Sequence, residues 1–123
     1  MRFTPPVQTL YALKQAIVEA KEEGIDSRYK RYAKSWETLI SALKEMDLKY
    51  IVDDKYHSKI ITSIYIPDGV DFDEMHDSFY ERGFTIYPGK VAEFETFRVA
   101  NIGQIDSADM QEFIKLLKKY LGR

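Results

Sequence analysis

The chain has 123 residues, 45% apolar and 31% charged, with no cysteine and a formal charge of −2. A chain of this length can bury roughly two-thirds of its unfolded surface, so one folded domain spanning 1–123 is expected and neither a disordered nor a fibrous chain fits. The charge balance leaves no basic face for a phosphate backbone, which argues against nucleic acid; the missing thiols exclude disulfides and thiolate metal sites, and fit a reducing, cytoplasmic setting.

No segment reads as a membrane span: the run from Ile60 to Ile66 is broken by Thr62 and Ser63 and is far too short to cross a bilayer. The opening MRFTPPVQTL lacks the apolar stretch of a signal peptide. Thr4, Pro5 and Pro6 read as a helix start, since proline is tolerated in the first turn. The spacing predicts a helix from about Pro5 to Glu23 with Val7, Leu10, Tyr11, Leu13, Ile17 and Ala20 on one stripe, ended by Gly24.

Asp26 or Ser27 is placed to cap a second helix, in which Tyr29, Tyr32, Trp36, Leu39, Ile40, Leu43 and Met46 recur every three or four residues. Two long helices around one glycine suggest a hairpin or bent pair packed through the Trp36 stripe. β-branched and aromatic residues then predict strands over Lys49–Val52 and Ile60–Ile66, flanking the polar loop DDKYHS. Pro67, Asp68 and Gly69 make a turn, and Asp71 with Glu74 resembles a capping box opening a third helix that buries Phe72, Met75 and Phe79, with Tyr80 at the margin. That helix stops at Gly83.

A short strand is expected from Phe84 to Tyr87, a turn at Pro88 and Gly89, and a further strand from Thr96 to Ile102. Asp106 or Ser107 opens a last helix with Met110, Phe113, Ile114, Leu117 and Leu121 inward. The order α-α-β-β-α-β-β-α predicts an α+β fold, a small, mostly antiparallel sheet covered by helices on one face.

Little in this chain resembles a catalytic set. His57 and His76, the two histidines, belong to no metal-ligand spacing and read as structural or surface residues. Asp71, Asp73, Glu74 and Asp77 crowd a helix start, where the dipole favours carboxylates; Glu93 and Glu95 read as solvated charges at a strand edge. No GxSxG, GxGxxG or Walker pattern is present. Arg98 stands apart, because it places a cation inside the strand-like run TFRVANI, where it must point outward or into a polar cleft. Its planar fork suits bidentate carboxylate binding, but on spacing alone an exposed strand arginine or a structural ion pair accounts for the residue better.

The runs RFTPPVQTLYAL, ERGFTIYPGK and TFRVANIG, in this order, resemble the C-terminal portion of the 2-aminoethylphosphonate–pyruvate transaminases, class V aminotransferases of fold type I. The resemblance covers essentially the whole chain. It implies the C-terminal small domain of a pyridoxal phosphate enzyme whose large domain precedes it and whose subunits form homodimers. It further implies that Arg98, within the FRxxNIG pattern, binds the substrate carboxylate. Thr4, within FTPP, would lie near the cofactor phosphate of the neighbouring subunit, and helix capping by Thr4 is compatible with that. None of the lysines matches the family's Schiff-base motif, so these 123 residues are expected to be inactive alone and to hold no cofactor stably. The implied reaction moves the amino group of 2-aminoethylphosphonate to pyruvate, giving phosphonoacetaldehyde and alanine. The alternative from another class is a stand-alone α+β module that holds a carboxylate ligand or a protein partner without chemistry.

Overall fold

The computed structural model describes residues 4–91 and 94–123. The chain divides into two compact units, 1–31 and 32–123. In the first, helix α1 covers Val7–Glu23. It begins two residues later than the proline pair suggests: Pro6 is the N-cap, without a side-chain bond, so the capping expected of Thr4 is not made. Gly24, at φ 78° and ψ 145°, closes α1 through its N–H to Ala20 and starts the next helix through its carbonyl, which accepts from the Arg28 N–H at 3.0 Å. That backbone geometry suits only glycine, and it makes Asp26 a first-turn residue of α2 (Ile25–Glu45) instead of its cap.

The apolar stripe of α1 is present, but none of its residues is buried. Leu10, Leu13 and Ile17 are all about half exposed. At the end of this unit Glu23 accepts from Arg28 at 2.6 Å and Arg31 at 2.8 Å. Hydrogen bonding to Arg31 and then to Arg28 pulls its carboxyl down to about 2.

The second unit carries the core. Trp36, Leu39, Ile40 and Leu43 of α2 are buried with Met46. They join one cluster with Met75 and Phe79 of α3 (Phe72–Tyr80), and Met110, Phe113, Ile114 and Leu117 of α4 (Ser107–Leu121). The Trp36 stripe therefore lines the core of residues 32–123. Tyr80 is exposed. Asp71 caps α3 by accepting from the Glu74 N–H at 3.0 Å. Asp106 and Asp109 complete a capping box at the start of α4, and Gly122 ends it at φ 64°.

Three strands, β1 (Ile61–Tyr65), β2 (Tyr87–Val91) and β3 (Phe94–Ala100), form an antiparallel sheet in the order β1-β3-β2. The α+β layer is thus as the periodicity implies, with one strand fewer. Lys49–Val52 contributes only a bridge, Tyr50 to Ile64, and the backbone bonds Ile51 N–H to Ser63 and Tyr65 N–H to Lys49. The chain leaves the ladder there because a polar knot turns it: Tyr50 Oη donates to Asp54 at 2.6 Å, Lys44 pairs with the same carboxylate, and a 3₁₀ turn covers Asp54–Tyr56.

The expected strand Phe84–Tyr87 and turn at Pro88–Gly89 are also corrected. Pairing begins only at Tyr87, opposite Arg98, and continues through Pro88 and Gly89 to Val91 opposite Phe94. Phe84 and Ile86 do face the core, which is why their alternation looks strand-like, but they stand before the ladder. Proline is admissible in β2 because this is an edge strand, where a missing N–H costs no internal ladder bond.

Candidate carboxylate-binding site

Alternation along β3 assigns its side chains. Phe97 and Val99 are buried beneath the helices, opposite Ile64 and Thr62 of β1, which are buried too. Arg98 falls between them and projects from the opposite face, next to Ser63 of β1 and Tyr87 of β2 in register. That face is open: Arg98, Ala100, Ile61, Tyr87 and Phe94 are all exposed on it. Of the two orientations the sequence allows, the structure has the outward one, in the middle strand of the sheet.

The guanidinium is tethered on one side. Its Nη2 donates to the Pro88 carbonyl across the ladder at 3.2 Å. Beneath its stem, Thr96 is 1% exposed although it lies on the open face, and its hydroxyl donates to the Gly89 carbonyl at 2.7 Å. A Cβ built on Gly89 would meet Thr96 Oγ1 at 2.6 Å and Arg98 Cγ at 3.3 Å. Gly89, Thr96 and the Pro88 carbonyl are absent from the sequence-based site. The signal lay in YPGK, where proline and glycine read as a turn.

Two further residues frame this face. Tyr65 and Phe94 meet edge to face with ring centroids 5.5 Å apart. Among the described residues no carboxylate pairs with Arg98, and its fork has the geometry that matches a carboxylate.

Asn101 follows the strand and is fully buried. Its side-chain amide donates to the carbonyls of Tyr32 and Lys59, both at 3.0 Å. These two bonds tie the end of β3 to α2 and to the segment entering β1. The nearby Tyr32 hydroxyl accepts from the Gly103 N–H at 3.1 Å. The segment following Arg98 is thereby pinned at several points.

The structure places the other sequence candidates as follows. Thr4 is exposed and belongs to the first unit. The His57 ring lies against Trp36, tilted by 38° with centroids 5.0 Å apart; its Nδ1 accepts from the Lys59 N–H at 2.9 Å, and burial pushes its pKa below 6.5. His76 lies between Phe72 and Tyr80 on α3. Glu95 is exposed, and Glu93 lies outside the described residues. A hollow of about 470 Å³ opens between Phe84, Ile86, Val99, Met110 and Phe113, and Arg98 does not line it.

Every lysine whose side chain is described is exposed or only partly buried, whereas a Schiff-base amine needs an enclosed, tuned setting. Among the described residues there is also no group of three or more His, Cys, Asp or Glu side chains able to hold a metal, and no helix is long and apolar enough to cross a membrane.

No family model matches the chain. Over 120 residues it is 39% identical to the 2-aminoethylphosphonate–pyruvate transaminase of Bacillus cereus strain AH187, covering 96% of this chain and 33% of that protein. The chain is similar to one third of a transaminase. The matched third is the C-terminal part. Among solved structures, the alanine–glyoxylate aminotransferase of Nostoc sp. superposes with a TM-score of 0.88 at 25% identity, covering 98% of this chain and 33% of that one. The pyridoxamine–pyruvate aminotransferase of Mesorhizobium loti gives 0.88 at 20% identity, over 99% of this chain and 32% of that one. The fold is shared with both, and the chain spans about a third of the length of the curated relatives it matches.

Proposed function

We propose that residues 1–123 form the small domain of a pyridoxal phosphate transaminase that moves the amino group of 2-aminoethylphosphonate to pyruvate. The observation that carries the reading is Arg98: a guanidinium that no carboxylate among the described residues pairs with, on an open sheet face and tethered from one side, in a chain 39% identical to a transaminase of that name. Its role is to hold the carboxylate of the 2-oxo acid and fix the reacting carbon in place. The cofactor, when bound, supplies the electron sink for the transfer; the large domain would hold it covalently, and from this chain only Thr4 would reach it.

Two features support a partner domain. The relatives are about three times as long, and the half-exposed stripe of α1 offers apolar area with no cover within its own unit. In a homodimer of such two-domain subunits, Thr4 would approach the cofactor phosphate of the neighbour. Its exposure and its lack of a capping bond leave the hydroxyl available for that contact.

The test joins this chain to the large domain of the Bacillus cereus relative and compares Arg98→Ala with the parent. Loss of a bidentate carboxylate contact raises the apparent KM for pyruvate by roughly ten- to a hundredfold, from about 1.5–3 kcal/mol for a charge-assisted bond. An unchanged KM for pyruvate would remove Arg98 from the site. Failure of the joined protein to form a cofactor-dependent absorbance would favour the stand-alone module.

A further inference from the structure

We propose that Gly89 is the positioning residue of the carboxylate site: the side chain it lacks is the space that lets Thr96 and Arg98 pack across β2. This rests on the reading of Arg98 as the carboxylate ligand. Glycine inside a strand weakens it, so its presence at a paired position calls for a cause. Backbone conformation is not the cause, because Gly89 is absent from the residues at positive φ. An alanine could adopt the same backbone.

Space is the cause. Gly89 is paired directly with Thr96, and Arg98 lies two residues along the same face. The Thr96 hydroxyl turns into the volume that a Cβ would fill, coming within 2.6 Å of it, and bonds the Gly89 carbonyl at 2.7 Å. The Arg98 stem occupies the rest, with Cγ at 3.3 Å and Cδ at 3.6 Å from the same point. The stem therefore lies low over β2, and this brings Nη2 within reach of the Pro88 carbonyl. One edge of the fork is spent on the protein and the remainder is presented to the ligand. A methyl group at position 89 would displace the hydroxyl and lift the stem, changing the direction in which the guanidinium faces.

The experiment follows the Arg98 Nε–Hε resonance by NMR in the 15N-labelled chain, assigned through its loss in Arg98→Lys. Gly89→Ala is expected to shift this resonance, lower its heteronuclear NOE, and weaken the response to added pyruvate roughly three- to tenfold in apparent Kd. Gly89→Ala/Thr96→Ala relieves the tighter clash but keeps the contact with Arg98 Cγ. It is expected to leave Arg98 displaced, and it carries the measurement should the single variant not fold. Thr96→Ala alone should leave the guanidinium in place. An Arg98 resonance identical in position and NOE in wild type and a folded Gly89 variant would overturn the proposal, whatever pyruvate does. Conversely, a perturbed Arg98 in Gly89→Ala, with no response to pyruvate in the wild type, would retain the positioning role and remove the carboxylate reading beneath it.

Discussion

Asn101→Ala and Asn101→Asp together test how the end of β3 is held. The wild-type amide is fully buried and gives two hydrogen bonds, to Tyr32 and Lys59, while its Oδ1 finds no partner among the described residues. Two carbonyls can only accept, so the nitrogen must face them. At about 1 kcal/mol for each bond, with a further contribution from the space vacated, Asn101→Ala should cost about 2–4 kcal/mol. Asn101→Asp keeps the shape but turns a carboxylate oxygen toward both carbonyls in a site without solvent, and should cost about 3–5 kcal/mol at pH 7. The new carboxyl would have a folded pKa above its unfolded value of about 3.9. Its folded form then binds the extra proton, so the penalty shrinks as pH falls toward 4 and grows as pH rises through the folded pKa. Urea unfolding followed by Trp36, the one tryptophan, at pH 5 and pH 7 against wild type at the same pH gives the comparison. An Asp variant no less stable than the Ala variant at pH 7 would refute the assigned polarity.

Two further outcomes follow from burial and charge. Leu39→Ala, at a site with no exposure, should cost about 2–5 kcal/mol, whereas Leu13→Ala on α1, 55% exposed, should stay within about 0.5 kcal/mol in the same urea assay; equal losses would mean α1 is packed. His57 should titrate by NMR with a midpoint below 6.5, because burial disfavours the imidazolium and its Nδ1 is needed as an acceptor. The unfolded chain then takes the proton first, so the stability His57 contributes is present above about pH 6.5 and is lost as pH falls below it; a midpoint at or above 6.5 would contradict this.

The helices of the second unit were legible because each carries its own period and its own punctuation. Trp36, Leu39, Ile40 and Leu43 repeat at helical spacing, and Asp71 and Asp106 cap by local chemistry that needs no distant partner. Strand limits depend on pairing, which is not local. Tyr50 could extend β1's neighbour only if Asp54 did not draw the chain away, and Pro88–Gly89 could enter a ladder only because β2 lies at the edge. The stripe of α1 was equally legible as a pattern but misleading as packing, since periodicity shows that a face is apolar and not what lies against it. At the site, Arg98 was visible as an odd charge, while Gly89 and Thr96 were not, because their meaning is a distance across the sheet.

The direction of Arg98 is set by its neighbours in the sequence. A strand turns alternate residues to opposite faces, and Phe97 and Val99, on either side of Arg98, are the apolar pair that must enter the core. A slip of one residue would bury the guanidinium under α2, α3 and α4 and expose a phenyl ring, at a cost of several kcal/mol for the unpaired charge. Register therefore fixes the face on which any anion must arrive. What it does not fix is the angle of presentation, because a long side chain on an open sheet has many rotamers. That is supplied by the edge strand, which runs straight through proline and glycine where the sequence suggested a turn. Had the chain turned at Pro88, the residues following it would lie off the ladder, and neither the carbonyl that tethers Nη2 nor the gap that receives the stem would be beside Arg98. The turn-like look of YPGK and the silence of the sequence about Gly89 and Thr96 thus have one cause, the pairing of β2 with β3.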